Sequence, residues 1–180
     1  MQKESPLIPK TRERLIFLEI RKHLSLQRKT EASAALLDSF QKKGSVLSFA
    51  SFATEIDVRP LNARLAAEKR LLLPRIEGDF LVPYWVRDPQ SQLVRSPLGF
   101  MEPNKALCLK ADWADVENAL VPGIVFDREN YRLGYGKGFY DRLLTEFDGW
   151  STGIGYREQL SDRPVPRDPW DLPTDDLLLV

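Results

Sequence analysis

The chain has 180 residues with 26 Lys and Arg balanced by 26 Asp and Glu, 43% hydrophobic and 29% charged residues, a composition that suits one soluble globular domain over residues 1–180. A lone histidine, His23, and a lone cysteine, Cys108, exclude an internal disulfide, zinc fingers, iron–sulfur clusters and catalytic histidine dyads. Chemistry is left to carboxylates, cations, backbone amides and a hard metal.

Between Lys10 and Leu24, Ile16, Ile20 and Leu24 recur at four-residue spacing beside Leu15, which predicts an amphipathic helix with Lys10 and Arg14 on an exposed face. Ser25 is the expected N-cap of a second helix, with Leu36, Leu37 and Phe40 inward and a stop at Gly44. "VLSFASF" (46–52) reads as a strand, "PLNARLAAEK" as a helix and "RLLLP" as a strand closed by Pro74, together a βαβ unit. "DFLVPYWVRD" (79–88) predicts an irregular strand or hairpin, since Pro83 belongs at an edge or bulge. Pro89 to Asn104, rich in proline, reads as a long functional loop. Strands at 118–123, 150–156 and the final "DDLLLV", with a helix over "FYDRLLTEF", complete the pattern. Such alternation predicts a mostly parallel sheet flanked by helices on both faces, a three-layer α/β/α, Rossmann-like fold.

The stretch "RLGYGKGFYDR" (132–142) places glycines at 134, 136 and 138, and falls between the strand ending near Pro122 and the helix starting near Gly138. That is the carboxyl edge of a parallel sheet, where open α/β folds bind ligands. Clustered glycines let backbone N–H groups converge on an anion, the following helix adds its positive end, and phosphate is the expected guest. Arg132 and Lys137 supply countercharge, and Asp141 is a hard oxygen ligand suited to Mg²⁺. GxxxxGK[ST] is absent, and the glycine spacing is one residue short of GxGxxG. Plainer readings stand beside these: the glycines as a tight turn, Asp141 as a partner of the helix dipole, Phe139 and Tyr140 as core aromatics, Lys10 and Arg14 as a solvated face. Glu55 reads equally as a cap of the next helix or as a ligand acceptor.

"LVPGIVFDRENYRLGYGKGFYDRLL" resembles the signature of the 5-formyltetrahydrofolate cyclo-ligase family, also called methenyltetrahydrofolate synthetases. Lys10 and Arg14, Glu55 in "SFASFATEID", "LPRI" (73–76), "MEP" (101–103) and "GIGYREQLSDRPVPRDPWDLPTD" extend the likeness over nearly the whole chain. It implies cyclisation of 5-formyltetrahydrofolate to 5,10-methenyltetrahydrofolate with ATP and Mg²⁺, by phosphorylation of the formyl oxygen, releasing ADP and phosphate. It places Lys10, Arg14, Arg132, Leu133, Gly134, Tyr135, Gly136, Lys137, Gly138, Phe139 and Tyr140 around ATP. Folate would meet Phe49, Ala50, Glu55, Tyr135, Lys137 and Phe139. Arg132 and Lys137 would be catalytic, and Asp141 and Asp171 the Mg²⁺ carboxylates. The sequence departs from the family where Trp170, not the usual His, precedes Asp171.

The rivals are a non-catalytic nucleotide- or folate-binding relative and a sugar-phosphate isomerase, which would need no ATP. Lys and Arg concentrate near the start and Asp after Asp141, a pattern unlike a nucleic-acid grip. No apolar run reaches the roughly 20 residues of a membrane helix, and "MQKESPLIPKTRERLIF" lacks a secretory core. The expectation is a cytoplasmic monomer with ATP and a folate as its small-molecule partners.

Overall fold

The computed structural model describes residues 10–180; the expectation about a secretory leader rests partly on residues 1–9, outside that range. Helices α1 (Lys10–His23) and α2 (Leu26–Ser39) open the chain, and the Ser25 hydroxyl caps α2 by accepting the Arg28 N–H at 3.1 Å. α2 stops at Ser39, short of Gly44, because Phe40 is already extended. Gly44 serves the turn into the sheet, in a left-handed conformation (φ 77°) with the Glu117 carboxylate against it.

Strand β1 (Val46–Leu47), helix α3 (Arg59–Ala67) and strand β2 (Leu71–Glu77) form the expected βαβ unit, with β1 parallel to β2. β1 is shorter than its apolar run, since the chain leaves the sheet after Leu47 and lines a cleft from Phe49 onward. β2 continues past Pro74 into a hairpin with β3 (Phe80–Trp85), and Pro74 lies opposite Pro83. Such a pair fits an antiparallel ladder only where neither residue must donate to the other. The expected loop over 89–104 holds a second hairpin, β4 (Leu93–Arg95) and β5 (Met101–Pro103). β6 (Leu109–Lys110), β7 (Asn118–Pro122), the small hairpin β8 (Val125–Phe126) and β9 (Arg132–Leu133), α4 (Phe139–Glu146), β10 (Trp150–Gly155) and β11 (Asp176–Leu179) follow.

The main sheet has seven strands in the order β11-β10-β7-β1-β2-β3-β6, the first five mutually parallel. Alternating residues of its buried strands serve opposite faces, as the period of two requires. Val46, Leu71 and Leu73 pack with Leu36, Leu61 and Leu65 of α2 and α3, whereas Leu47, Leu72 and Ala119 pack with Leu143 of α4. The mostly parallel sheet therefore carries helices on both faces, as the β/α alternation predicted.

α1 departs from expectation. Its apolar residues Leu15 and Ile16 are 60% and 43% exposed, while Glu13, Phe17 and Arg21 are buried. Lys10, Arg14, Phe17 and Arg21 lie at spacings of four, three and four, one helical stripe that faces the glycine loop and sheet edge. Polar contacts of Lys10, Arg14 and Arg21 at the end of the sheet, together with Phe17 packing among Ile124, Val125 and Leu133, turn this side of α1 inward against the apolar period of Leu15, Ile16 and Ile20.

Candidate functional site

A cleft of about 370 Å³ opens at the carboxyl ends of β1 and β7 and is lined from both sides by α1, the residues after β1, the tip of the β4–β5 hairpin, and the loop between β9 and α4. This is the place the topology assigns to a ligand. The β8–β9 hairpin, unforeseen in the sequence, intervenes between β7 and the glycine loop and delivers Arg132 to the cleft.

One end is cationic. Arg14 Nε donates to the Gly134 carbonyl at 2.7 Å, which ties α1 to the loop. Gly136 and Gly138 have φ of 84° and 70°, the left-handed conformation that explains two of the three glycines, and Gly138 is the N-cap of α4. Arg14 also lies 3.4 Å from where a Cβ on Gly136 would stand, whereas Gly134 has open space around it. Arg132, its side chain only 4% exposed, donates to Asp141 Oδ1 at 2.9 Å and to the Leu172 carbonyl at 3.1 Å. Burial draws its guanidinium down from its ordinary value, with the Asp141 carboxylate pulling against that. Lys137 is exposed, lines the cleft and has no carboxylate partner among the described residues.

Lys10 Nζ donates to Asp168 and Asp171, each at 2.6 Å. Burial acts to lower the Lys10 ammonium, but the two carboxylates more than reverse it and hold it above its usual value. Asp168, which the sequence did not single out, thus shares the cation with Asp171. Asp171 and Asp141 line the same cleft, and both act on Arg132. Asp141 Oδ2 and Asp171 Oδ1 have no hydrogen-bond partner among the described residues. Two hard oxygens without a described partner, beside Lys10 and Arg132, suit Mg²⁺, which takes few protein ligands and keeps substrate oxygens and waters. No cluster of three metal-ligating side chains exists among the described residues.

The other end is apolar and aromatic, with Phe49, Phe52, Leu98, Phe100, Pro74 and Leu81 lining it. Phe52 meets Phe100 and Tyr135 edge-on at centroid distances of 6.2 and 6.4 Å. Glu55 does not cap α3, whose N-cap Val58 makes no side-chain bond. Its carboxylate instead accepts the Phe52 N–H at 2.8 Å and closes the turn after β1. Burial raises the Glu55 carboxyl to about 7, with the Phe52 N–H and the Arg21 charge acting the other way. Burial also pushes the Tyr140 phenol up, Glu55 adding to the shift and Arg132 opposing it, so Tyr140 lies within reach of both ends. Ala50 completes this wall, and Leu133, Phe139 and Tyr140 line the cleft with it. Every site residue singled out in the sequence borders this one cleft. Phe52 and the hairpin tip at Leu98 and Phe100 carried no local signal; Arg21 did, in the stripe it shares with Lys10 and Arg14.

Residues 10–180 match the model of the 5-formyltetrahydrofolate cyclo-ligase family. The chain belongs to that family. The 5-formyltetrahydrofolate cyclo-ligase of Escherichia coli (strain K12) is 34% identical over 137 residues, 72% of this chain and 74% of the relative. A relative from Schizosaccharomyces pombe is 31% identical over 124 residues, and the match spans 61% of each protein. The NMR structure of Aquifex aeolicus 5,10-methenyltetrahydrofolate synthetase superposes with a TM-score of 0.82 at 35% identity, covering 94% of this chain and 89% of the other. Membership makes the chain an enzyme of the ligase class. No helix among the described residues is long and apolar enough to cross a membrane.

Proposed function

We propose that this cyclo-ligase family member converts 5-formyltetrahydrofolate and ATP to 5,10-methenyltetrahydrofolate, ADP and phosphate, with Mg²⁺, in the cleft at the sheet edge. The observation that carries the proposal is the two-ended character of one cavity: Lys10, Arg14, Arg132 and the glycine loop at one end, and Phe52, Phe100 and Glu55 at the other. ATP phosphates suit the first end, and a flat, amide-bearing pterin suits the second.

The formyl oxygen attacks the γ-phosphorus of ATP and ADP departs; the side-arm nitrogen of folate then attacks the activated formyl carbon, and loss of phosphate leaves the methenyl ring. Phosphoryl transfer of this kind asks for alignment and charge neutralisation more than for a protein nucleophile, which fits a cleft without histidine or cysteine. Arg132 is held by Asp141 and the Leu172 carbonyl and presents a fixed charge to the phosphates. Lys137, unpaired by any described carboxylate, is the cation free to follow the transferring group. Asp141 and Asp171 would hold Mg²⁺, which supplies charge neutralisation on the phosphates. Glu55 accepts hydrogen bonds from the pterin, and Phe49, Ala50, Tyr135 and Phe139 border it.

The test is ultraviolet absorbance of the purified protein with 5-formyltetrahydrofolate and Mg²⁺, with and without ATP. A methenyl chromophore that grows only with ATP is the expected result. Binding of both ligands without that rise would favour a non-catalytic relative, and a rise without ATP would overturn the phosphorylation step.

A further inference from the structure

Arg21 is completely buried, yet no carboxylate lies within ion-pair distance of it among the described residues. Its guanidinium donates to the Gly123 carbonyl at 3.1 Å, to Thr54 Oγ1 at 2.9 and 3.2 Å, and to the Tyr135 hydroxyl at 3.2 Å. A buried cation that satisfies only neutral acceptors is costly, so a plain fold-stapling role explains little.

The three acceptors are particular. Gly123 and Tyr135 line the cleft, and Thr54 immediately precedes Glu55, which also lines it. Thr54 follows Ala53, a non-glycine residue in the left-handed region (φ 52°), so the turn that carries Glu55 is held against its local preference. Tyr156 donates its hydroxyl to the Glu55 carbonyl at 3.3 Å, and Gln159 donates to the Gly123 carbonyl at 2.8 Å, which closes the network behind the site. Arg21 itself does not line the cleft. Its planar fork, unlike a lysine ammonium, holds several acceptors at fixed angles at once.

We propose that Arg21 is a positioning residue for the folate end of the cleft: from α1 it fixes the Glu55 turn and the Tyr135 ring in mutual register, and so sets affinity for the folate and not for ATP. This rests on the reading that the aromatic end receives the pterin. Wild-type turnover tests that reading separately, because a protein without ATP-dependent methenyl formation would fail there first.

The experiment compares the full-length wild type with Arg21→Met, Arg21→Lys, Thr54→Val, Tyr135→Phe and the Arg21→Met/Tyr135→Phe double variant, measuring KM for 5-formyltetrahydrofolate, KM for ATP and kcat, with the melting temperature of each. Arg21→Met is expected to raise the folate KM about tenfold or more, the effect of one or two lost charge-assisted hydrogen bonds, while the ATP KM stays within about twofold. Arg21→Lys should recover part of the loss. Tyr135→Phe should add little to the folate KM in the Arg21→Met background, because its hydroxyl has already lost its donor. Equal rises in both KM values, or multiplicative effects of the Arg21 and Tyr135 changes, would overturn the proposal. If Arg21→Met fails to fold, Thr54→Val decides: a higher folate KM with unchanged ATP KM supports positioning, and unchanged kinetics refute it.

Discussion

At the scale of single residues the cleft stores its chemistry in groups that are awkward to bury. Glu55, raised by burial to about 7, stays protonated in the folded protein over a range where the unfolded chain has already ionised. Its folded value lies above the unfolded one, so the stability it contributes is fully present below about pH 4.5 and is lost as pH rises through about 7. Glu55→Gln should therefore stabilise the fold above pH 7 by on the order of 2 to 3 kcal/mol, read as a higher melting temperature, and leave stability unchanged near pH 4.5. The same substitution should weaken folate binding, and wild-type kcat/KM for folate should fall as pH drops below about 7, both readable by titration and pH-rate profiles. A stabilised variant with undiminished folate affinity would leave Glu55 no part in binding. Asp141 also has two duties. A first-turn aspartate contributes little to a helix, but this one pairs with the buried Arg132 at 2.9 Å. Asp141→Asn should cost about 1 to 2 kcal/mol in denaturant unfolding, since the amide keeps one acceptor while losing the charge. The loss of Mg²⁺-dependent ATP use should be far larger than that.

At the scale of elements, the glycine loop separates two kinds of glycine that look alike in the sequence. Gly136 and Gly138 are left-handed, with φ of 84° and 70°; Gly134 carries no such constraint and has open space around it. Gly134→Ala should keep near-normal stability and turnover. Gly136→Ala should lose roughly 1 to 2 kcal/mol from the backbone alone and raise the ATP KM by shifting the loop out of its left-handed turn, a contrast that thermal melts and steady-state kinetics will register. The helices and long strands were legible in the sequence: α3, α4, β7, β10 and β11 follow their apolar patterns closely. Of the two-residue strands, β6, β8 and β9 were not, because they are defined by partners distant in sequence and carry no period of their own. The β4–β5 hairpin was hidden in the same way. Its prolines and glycine read as loop, whereas contacts distant in sequence fasten it over β2 and the core: the Arg75–Glu102 ion pair at 2.9 Å, the Arg75 bond to the Pro103 carbonyl, and Leu93 packed on the core.

At the scale of the whole molecule, the site exists because distant segments arrive at one sheet edge. Lys10 meets Asp168 and Asp171, roughly the full chain away, and Arg21 meets Thr54, Gly123 and Tyr135. The amino-acid sequence by itself determined the β/α alternation, hence a mostly parallel sheet with helices on both faces, and it marked the glycine loop and the family through residues close together in the chain. Local patterns suffice there because hydrophobic period and glycine clustering are short-range properties. Which side of α1 faces inward was decided by tertiary structure alone: the apolar period pointed to Leu15, Ile16 and Ile20, but the acceptors at the sheet edge drew in Lys10, Arg14 and Arg21, with Phe17 packing among Ile124, Val125 and Leu133 beside them. Burial and pairing gave Glu55 its raised pKa, Asp141 its arginine and Arg21 its place behind the site, since each depends on groups that only folding brings within a few ångströms.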